Sequence, residues 1–144
     1  MEEIAVLGVG MHPWGKWGRN FVDYGVHAAY QALDDAGVTW GDVGFVSGAV
    51  TVRCGYPGYV AGSTFARALG FTGAQVASSY SACASGVTAL SVARGQILSG
   101  ACDVALVVGA DTTPKGFLAP PKGIVPMTRT GCGSTSWGLS LIHI

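Results

Sequence analysis

Ser81-Ala82-Cys83-Ala84-Ser85-Gly86, continued by Val87-Thr88-Ala89-Leu90, sets a cysteine among small residues. A polar run, Ser78-Ser79-Tyr80-Ser81, precedes it, and a helix-forming segment follows. Residues 74–78 read as a short strand, so the thiol falls at a turn from strand to helix. Backbone N–H groups and the positive end of the helix dipole converge at a helix N-terminus, and both favour an anionic sulfur. A thiolate is the nucleophile that acyl transfer needs. Small neighbours leave room for a bulky substrate. The same pattern has a plain alternative, since a lone cysteine in a small-residue helix commonly packs as an apolar filler.

Outward from that turn the chain alternates between strand and helix signals. Residues 4–9 form a continuous apolar run with β-branched members, which predicts a buried strand. Gly10 to Gly18 make a loop rich in Gly, Pro and Trp. Asn20, with Asp23 three residues on, is a plausible helix cap. Phe21, Gly25, Ala28 and Ala32 then recur at helical spacing, beside Val22, Val26, Ala29 and Leu33, and Gly37 is placed to stop the helix. Residues 43–50 read as a second strand, and Cys54 to Gly58 as a turn-rich loop. Ala61, Phe65, Ala68 and Leu69 predict another helix, stopped by Gly70. Leu90, Ala93 and Ile97 share a face of the helix after Cys83, which Gly100 ends. Residues 103–109 are the clearest buried strand. This strand–helix alternation predicts an α/β fold with a mostly parallel sheet covered by helices. In such sheets ligands sit at the carboxyl ends of the strands, where Cys83 would lie.

Composition narrows the function. The chain has 144 residues, zero formal net charge and only 11% charged residues, so it offers neither a basic stripe for nucleic acid nor a charge block typical of disorder. The 23 glycines show no collagen-like period. Glu2 and Glu3 follow Met1 in place of a basic n-region, which argues against a signal peptide. The longest apolar runs are strand-sized, so no membrane span is expected. The four cysteines, Cys54, Cys83, Cys102 and Cys132, include no Cys-x-x-Cys pair, and no histidine cluster has zinc spacing. Free thiols in a cytoplasmic chain are the simplest reading.

Other residues are weaker candidates. His12 lies in a loop that can approach a site, but a structural or surface histidine fits as well. His27 falls inside a helix and reads as packed or solvated. Cys102 opens a buried strand and reads as core, and Cys54 sits in a loop able to line a pocket or simply turn. Asp111 and Thr112 follow the last strand, where they can order the nucleophile's surroundings or cap a turn. Gly8-Val9-Gly10 lacks the third glycine of a dinucleotide fingerprint and opens into a loop containing proline.

The cysteine motif, together with Gly100-Ala101-Cys102-Asp103-Val104-Ala105-Leu106-Val107-Val108-Gly109-Ala110-Asp111, resembles the N-terminal half of the thiolase superfamily. The opening Ile4 to Met11, Ala32 to Val38 and Thr112 to Phe117 fit the same family. The sterol-carrier-protein-type thiolases, often labelled lipid-transfer proteins, are the nearest match in pattern. The resemblance covers roughly residues 1–123 and implies an incomplete thiolase N-terminal domain with Cys83 as the residue that becomes acylated. It implies a coenzyme A thioester as substrate, an acyl-CoA or steroid-CoA, with no permanently bound cofactor and no metal. It also implies a homodimer, or a complex with a small partner protein, in a full-length form. The catalytic base and second catalytic residues would come from a C-terminal half, so this chain alone is expected to be inactive or nearly so.

One departure matters. Many thiolases place an asparagine three residues before the nucleophile, where this chain has Tyr80. That leaves room for relatives that act as carbon–carbon lyases in steroid side-chain breakdown. A third possibility is a non-catalytic lipid or acyl-CoA binding subunit. Residues 124–144 fit none of these. Codons exist for Pro126 to Gly138 whose shifted frame reads DDPDWLRFHLLG, and Leu139 to Ile144 reads like a translated library adapter. We therefore expect a frameshifted, adapter-derived tail, in which His143 carries no functional weight; the alternative is a natural short protein with a disordered tail.

Overall fold

The computed structural model describes residues 4–51 and 60–112. The elements run α1 (Phe21–Ala36), a 3-10 turn (Trp40–Asp42), β1 (Phe45–Ala49), α2 (Ala61–Leu69), β2 (Gln75–Ser79), α3 (Ser85–Leu98) and β3 (Ala105–Gly109). The loop around Cys54, the Thr113 to Phe117 stretch, Cys132 and the tail with His143 lie outside the described residues.

Local signals fix the helix ends. The Asn20 side chain accepts a hydrogen bond from the Asp23 N–H at 3.0 Å, satisfying a donor that the first turn of α1 leaves free. Gly37 closes α1 in the left-handed conformation at φ 66°, and its N–H bonds back to the Asp34 carbonyl. The 3-10 turn is held by Asp42, whose carboxylate accepts from the Thr39 N–H and hydroxyl. Those bonds favour the charged form and lower the Asp42 pKa below its ordinary value.

The three strands are parallel in the order β2-β1-β3. Phe45 pairs with Gln75 on one side and Ala105 on the other. The chain moves one way from β1 to β2 and back across β1 to reach β3. Right-handed crossovers in opposite directions put their helices on opposite faces, and the packing follows that rule. Val46, Val50, Leu106 and Val108 face α1 and α2, burying Phe21, Ala28, Leu33, Phe65 and Leu69. Phe45, Ala49, Ala105 and Val107 face α3, against Ala89 and Ala93. The period-two alternation along β1 thus feeds two cores, and all five of its residues are buried, as a central parallel strand requires. Helix and sheet approach closely on the first face. A Cβ at Gly48 would overlap the backbone of Gly62, and one at Gly62 would overlap the Ala77 carbonyl.

The predicted strand at residues 4–9 is not one among the described residues. The segment runs extended along α1, with the Val9 N–H donating to the Asp35 carboxylate at 2.9 Å and the Met11 N–H to the Gln31 side chain at 3.1 Å. Gly8 and Gly10 make that approach possible, because a Cβ at either would strike the α1 backbone at Ala32 or Ala28. Val6, Leu7 and Val9 stay exposed. The apolar run has strand character, but no described strand lies beside it to complete a ladder, so helix side chains bind its N–H groups instead.

Candidate active site at the β2–α3 junction

Cys83 lies between the C-terminal end of β2 and the first residue of α3. Its side chain is a free, exposed thiol. The expected placement at the carboxyl end of a parallel sheet therefore holds. Ser81, Ala82, Ala84 and Gly86 are also exposed, so only small groups surround the sulfur along the chain.

The backbone here is unusual. Ala82 has φ 48°, the one non-glycine residue with positive φ among the described residues. The left-handed region costs an L-residue with a Cβ roughly 1–2 kcal/mol, and such strain gathers at functional turns. Hydrogen bonds hold the turn. The Ala84 N–H donates to the Ser81 carbonyl at 2.9 Å, and the Ser85 N–H to the Ala82 carbonyl at 3.1 Å. The Ser85 hydroxyl accepts from the Ser81 N–H at 2.8 Å and donates to the Ala82 carbonyl at 2.8 Å. Thr88 Oγ1 reaches Ser81 Oγ at 3.0 Å and the Ala84 carbonyl at 3.1 Å. Ser85 is buried at 3% exposure beneath an exposed thiol. The sequence displayed Ser85 two residues after the cysteine, but neither its buried hydroxyl nor the Ala82 conformation could be read from spacing.

The other candidates separate from this turn. Asp111 ties the end of β3 to the loop after β1, accepting from the Thr51 N–H at 2.8 Å. Thr112 is half-buried beside it in sequence. Cys102 is half-buried against the α3 core, and burial, reinforced by Asp103, pushes its thiol pKa up, which disfavours it as a nucleophile. His12 packs edge-to-face with Trp17, Tyr24 and His27, the last at 4.8 Å between ring centres. Its Nδ1 lies 2.9 Å from the Pro13 carbonyl. His12 and His27 thus form one aromatic cluster linking the glycine-rich loop to α1, and His27 Nε2 is buried with no hydrogen-bond partner among the described residues. No group of three or more His, Cys, Asp or Glu side chains suited to a metal occurs among the described residues. No described helix is long and apolar enough to cross a membrane.

Comparison with known proteins places this arrangement. A family model described as the N-terminal domain of β-ketoacyl synthases matches residues 4–131. Sterol carrier protein 2 of Gallus gallus is 35% identical over 126 residues, covering 82% of this chain and 22% of that protein. Acetyl-CoA acetyltransferase from Syntrophomonas wolfei superposes with a TM-score of 0.65 at 25% identity, covering 72% of this chain and 27% of the other. The 3-oxoacyl-[acyl-carrier-protein] synthase III from Aquifex aeolicus VF5 also reaches 0.65, at 17% identity, over 74% of this chain and 44% of that one. The chain belongs to the thiolase superfamily and corresponds to its N-terminal half. It spans about a fifth of the length of the curated relative.

Proposed function

We propose that this chain is the N-terminal part of an acyl-CoA acyltransferase of the thiolase type, serving lipid or steroid metabolism in the cytoplasm, with Cys83 as acyl carrier. The observation that carries the reading is the exposed Cys83 thiol on a strained turn at the start of α3, at the carboxyl end of the sheet. In the reaction the Cys83 sulfur attacks the thioester carbonyl, the carbon–sulfur bond to coenzyme A breaks, and coenzyme A leaves as a thiol after taking up a proton. The acyl group then passes to a second substrate. A base and preorganised donors for the tetrahedral oxyanion complete such a site, and in this reading a C-terminal half supplies them. The edge strand β2 and the exposed side chains of Phe71, Val76 and Val87 fit a second subunit or a small partner protein.

The test is mass spectrometry of the full-length protein after exposure to acetyl-CoA. The Cys83 peptide should gain an acetyl group, and Cys83→Ala should remove that label. A full-length protein whose acylation survives Cys83→Ala would exclude the assignment. Tyr80, half-exposed at 41% three residues before the cysteine, favours a second reading: a carbon–carbon lyase that cleaves a steroid-CoA side chain, with Cys83 shaping the pocket. Cleavage retained in Cys83→Ala would support that alternative.

A further inference from the structure

Ser85 is the first residue of α3, yet its hydroxyl does not serve the helix. The helix cap position, Ala84, offers no side-chain bond, and the Ser85 hydroxyl turns backward to the Ser81 N–H and the Ala82 carbonyl. Those two groups flank the one residue held at positive φ. A single buried oxygen therefore clamps both sides of the strained residue that immediately precedes the thiol. An ordinary capping serine would accept from N–H groups ahead of it in the helix; this one instead bonds to the turn.

We propose that Ser85 is a positioning residue for Cys83, its hydroxyl holding Ala82 in the left-handed conformation that presents the sulfur at the start of α3. The proposal rests on the reading of Cys83 as acyl carrier. Alanine resists that conformation and glycine does not, so the clamp is needed because residue 82 has a Cβ. Ser85 is buried beneath the turn and Cys83 exposed above it, so the hydroxyl acts on the sulfur's placement and not on the acyl-CoA. Its loss should lower the rate of acylation at saturation while leaving the half-saturating acyl-CoA concentration in place.

The experiment follows single-turnover acetylation of Cys83 by acetyl-CoA in the full-length protein, read by peptide mass. Ser85→Ala should slow the saturated rate about tenfold, the effect of losing a buried hydrogen-bonding group. Adding Ala82→Gly to Ser85→Ala should restore most of that rate, because glycine adopts positive φ without a clamp. Should Ser85→Ala fail to fold, Ser85→Cys gives the same information, since a thiol of similar size bonds only weakly to the turn, and it should slow acetylation comparably. Wild-type protein that never acetylates at Cys83 overturns the acyl-carrier reading itself. Wild-type acetylation that Ser85→Ala, or Ser85→Cys in its place, leaves unchanged overturns only the role of Ser85. A Ser85→Ala defect that Ala82→Gly does not relieve, or that appears in the half-saturating concentration alone, overturns it too.

Discussion

The two faces of the sheet are built differently. Against α1 and α2 the strands bury large side chains, with Phe65 and Leu106 fully enclosed and Phe21 meeting Phe65 edge-to-face at 6.2 Å. Against α3 the fully buried helix residues of the apolar cluster are small, Ala89 and Ala93, and they meet Phe45, Ala49, Ala105 and Val107 of the strands. Ser85, Ala89 and Ala93 of α3 are buried and Leu90, Val92 and Ile97 pack partly buried against the same core, whereas Val87 is 69% exposed. The first face is a finished core. The second brings α3 close to the sheet through small residues, and the exposed thiol lies just before this helix.

The comparison can be broken most easily at Phe65. Phe65→Ala should cost about 3–5 kcal/mol, as deletion of a buried ring does, measured by urea unfolding; a loss below about 1 kcal/mol would mean the α1–α2 face is not the main store of stability. On the other face the sensitive change is an addition. Ala93→Leu should cost about 1–3 kcal/mol by forcing α3 off the strands, and a neutral result would show that the helix is not held close. Ser47, buried in β1, donates to the Ala89 carbonyl at 2.8 Å and pins α3 to the central strand. Ser47→Ala should cost about 1 kcal/mol in the same assay. Val87→Asp should change the stability of this chain by no more than about 0.5 kcal/mol, because the side chain covers nothing here; a clearly larger loss would mean that α3 is already enclosed.

A chemical probe sharpens the same contrast. Burial against the α3 core raises the Cys102 pKa, so the folded chain should reach its thiolate at higher pH than the unfolded chain. Iodoacetamide at mildly alkaline pH should therefore label Cys102 faster once urea is added. Equal rates in both states would show that the small-residue face does not shield it.

The residues themselves made much of this legible. Asn20, Gly37 and Gly70 mark helix ends where the structure has them, because caps and stops are local chemistry. Residues 43–50 and 103–109 carried strand signals strong enough to place β1 and β3 within about two residues, as fully buried strands do. Residues 4–9 carried the same signal and failed it. Strand propensity needs a partner to become a ladder, and the segment instead found the side chains of α1 through Gln31 and Asp35.

For the candidate site, the sequence determined that a cysteine stands between a strand and a helix among small residues, since spacing alone fixes that order. Only the tertiary structure decided that the sulfur is exposed, that Ala82 turns at positive φ, and that Ser85 reaches back beneath it. It alone also joined His12 to His27 across a loop and a helix, and Asp111 to Thr51 across two strands. These are contacts between residues distant in the chain or set by one backbone dihedral, and no periodicity in the sequence records either.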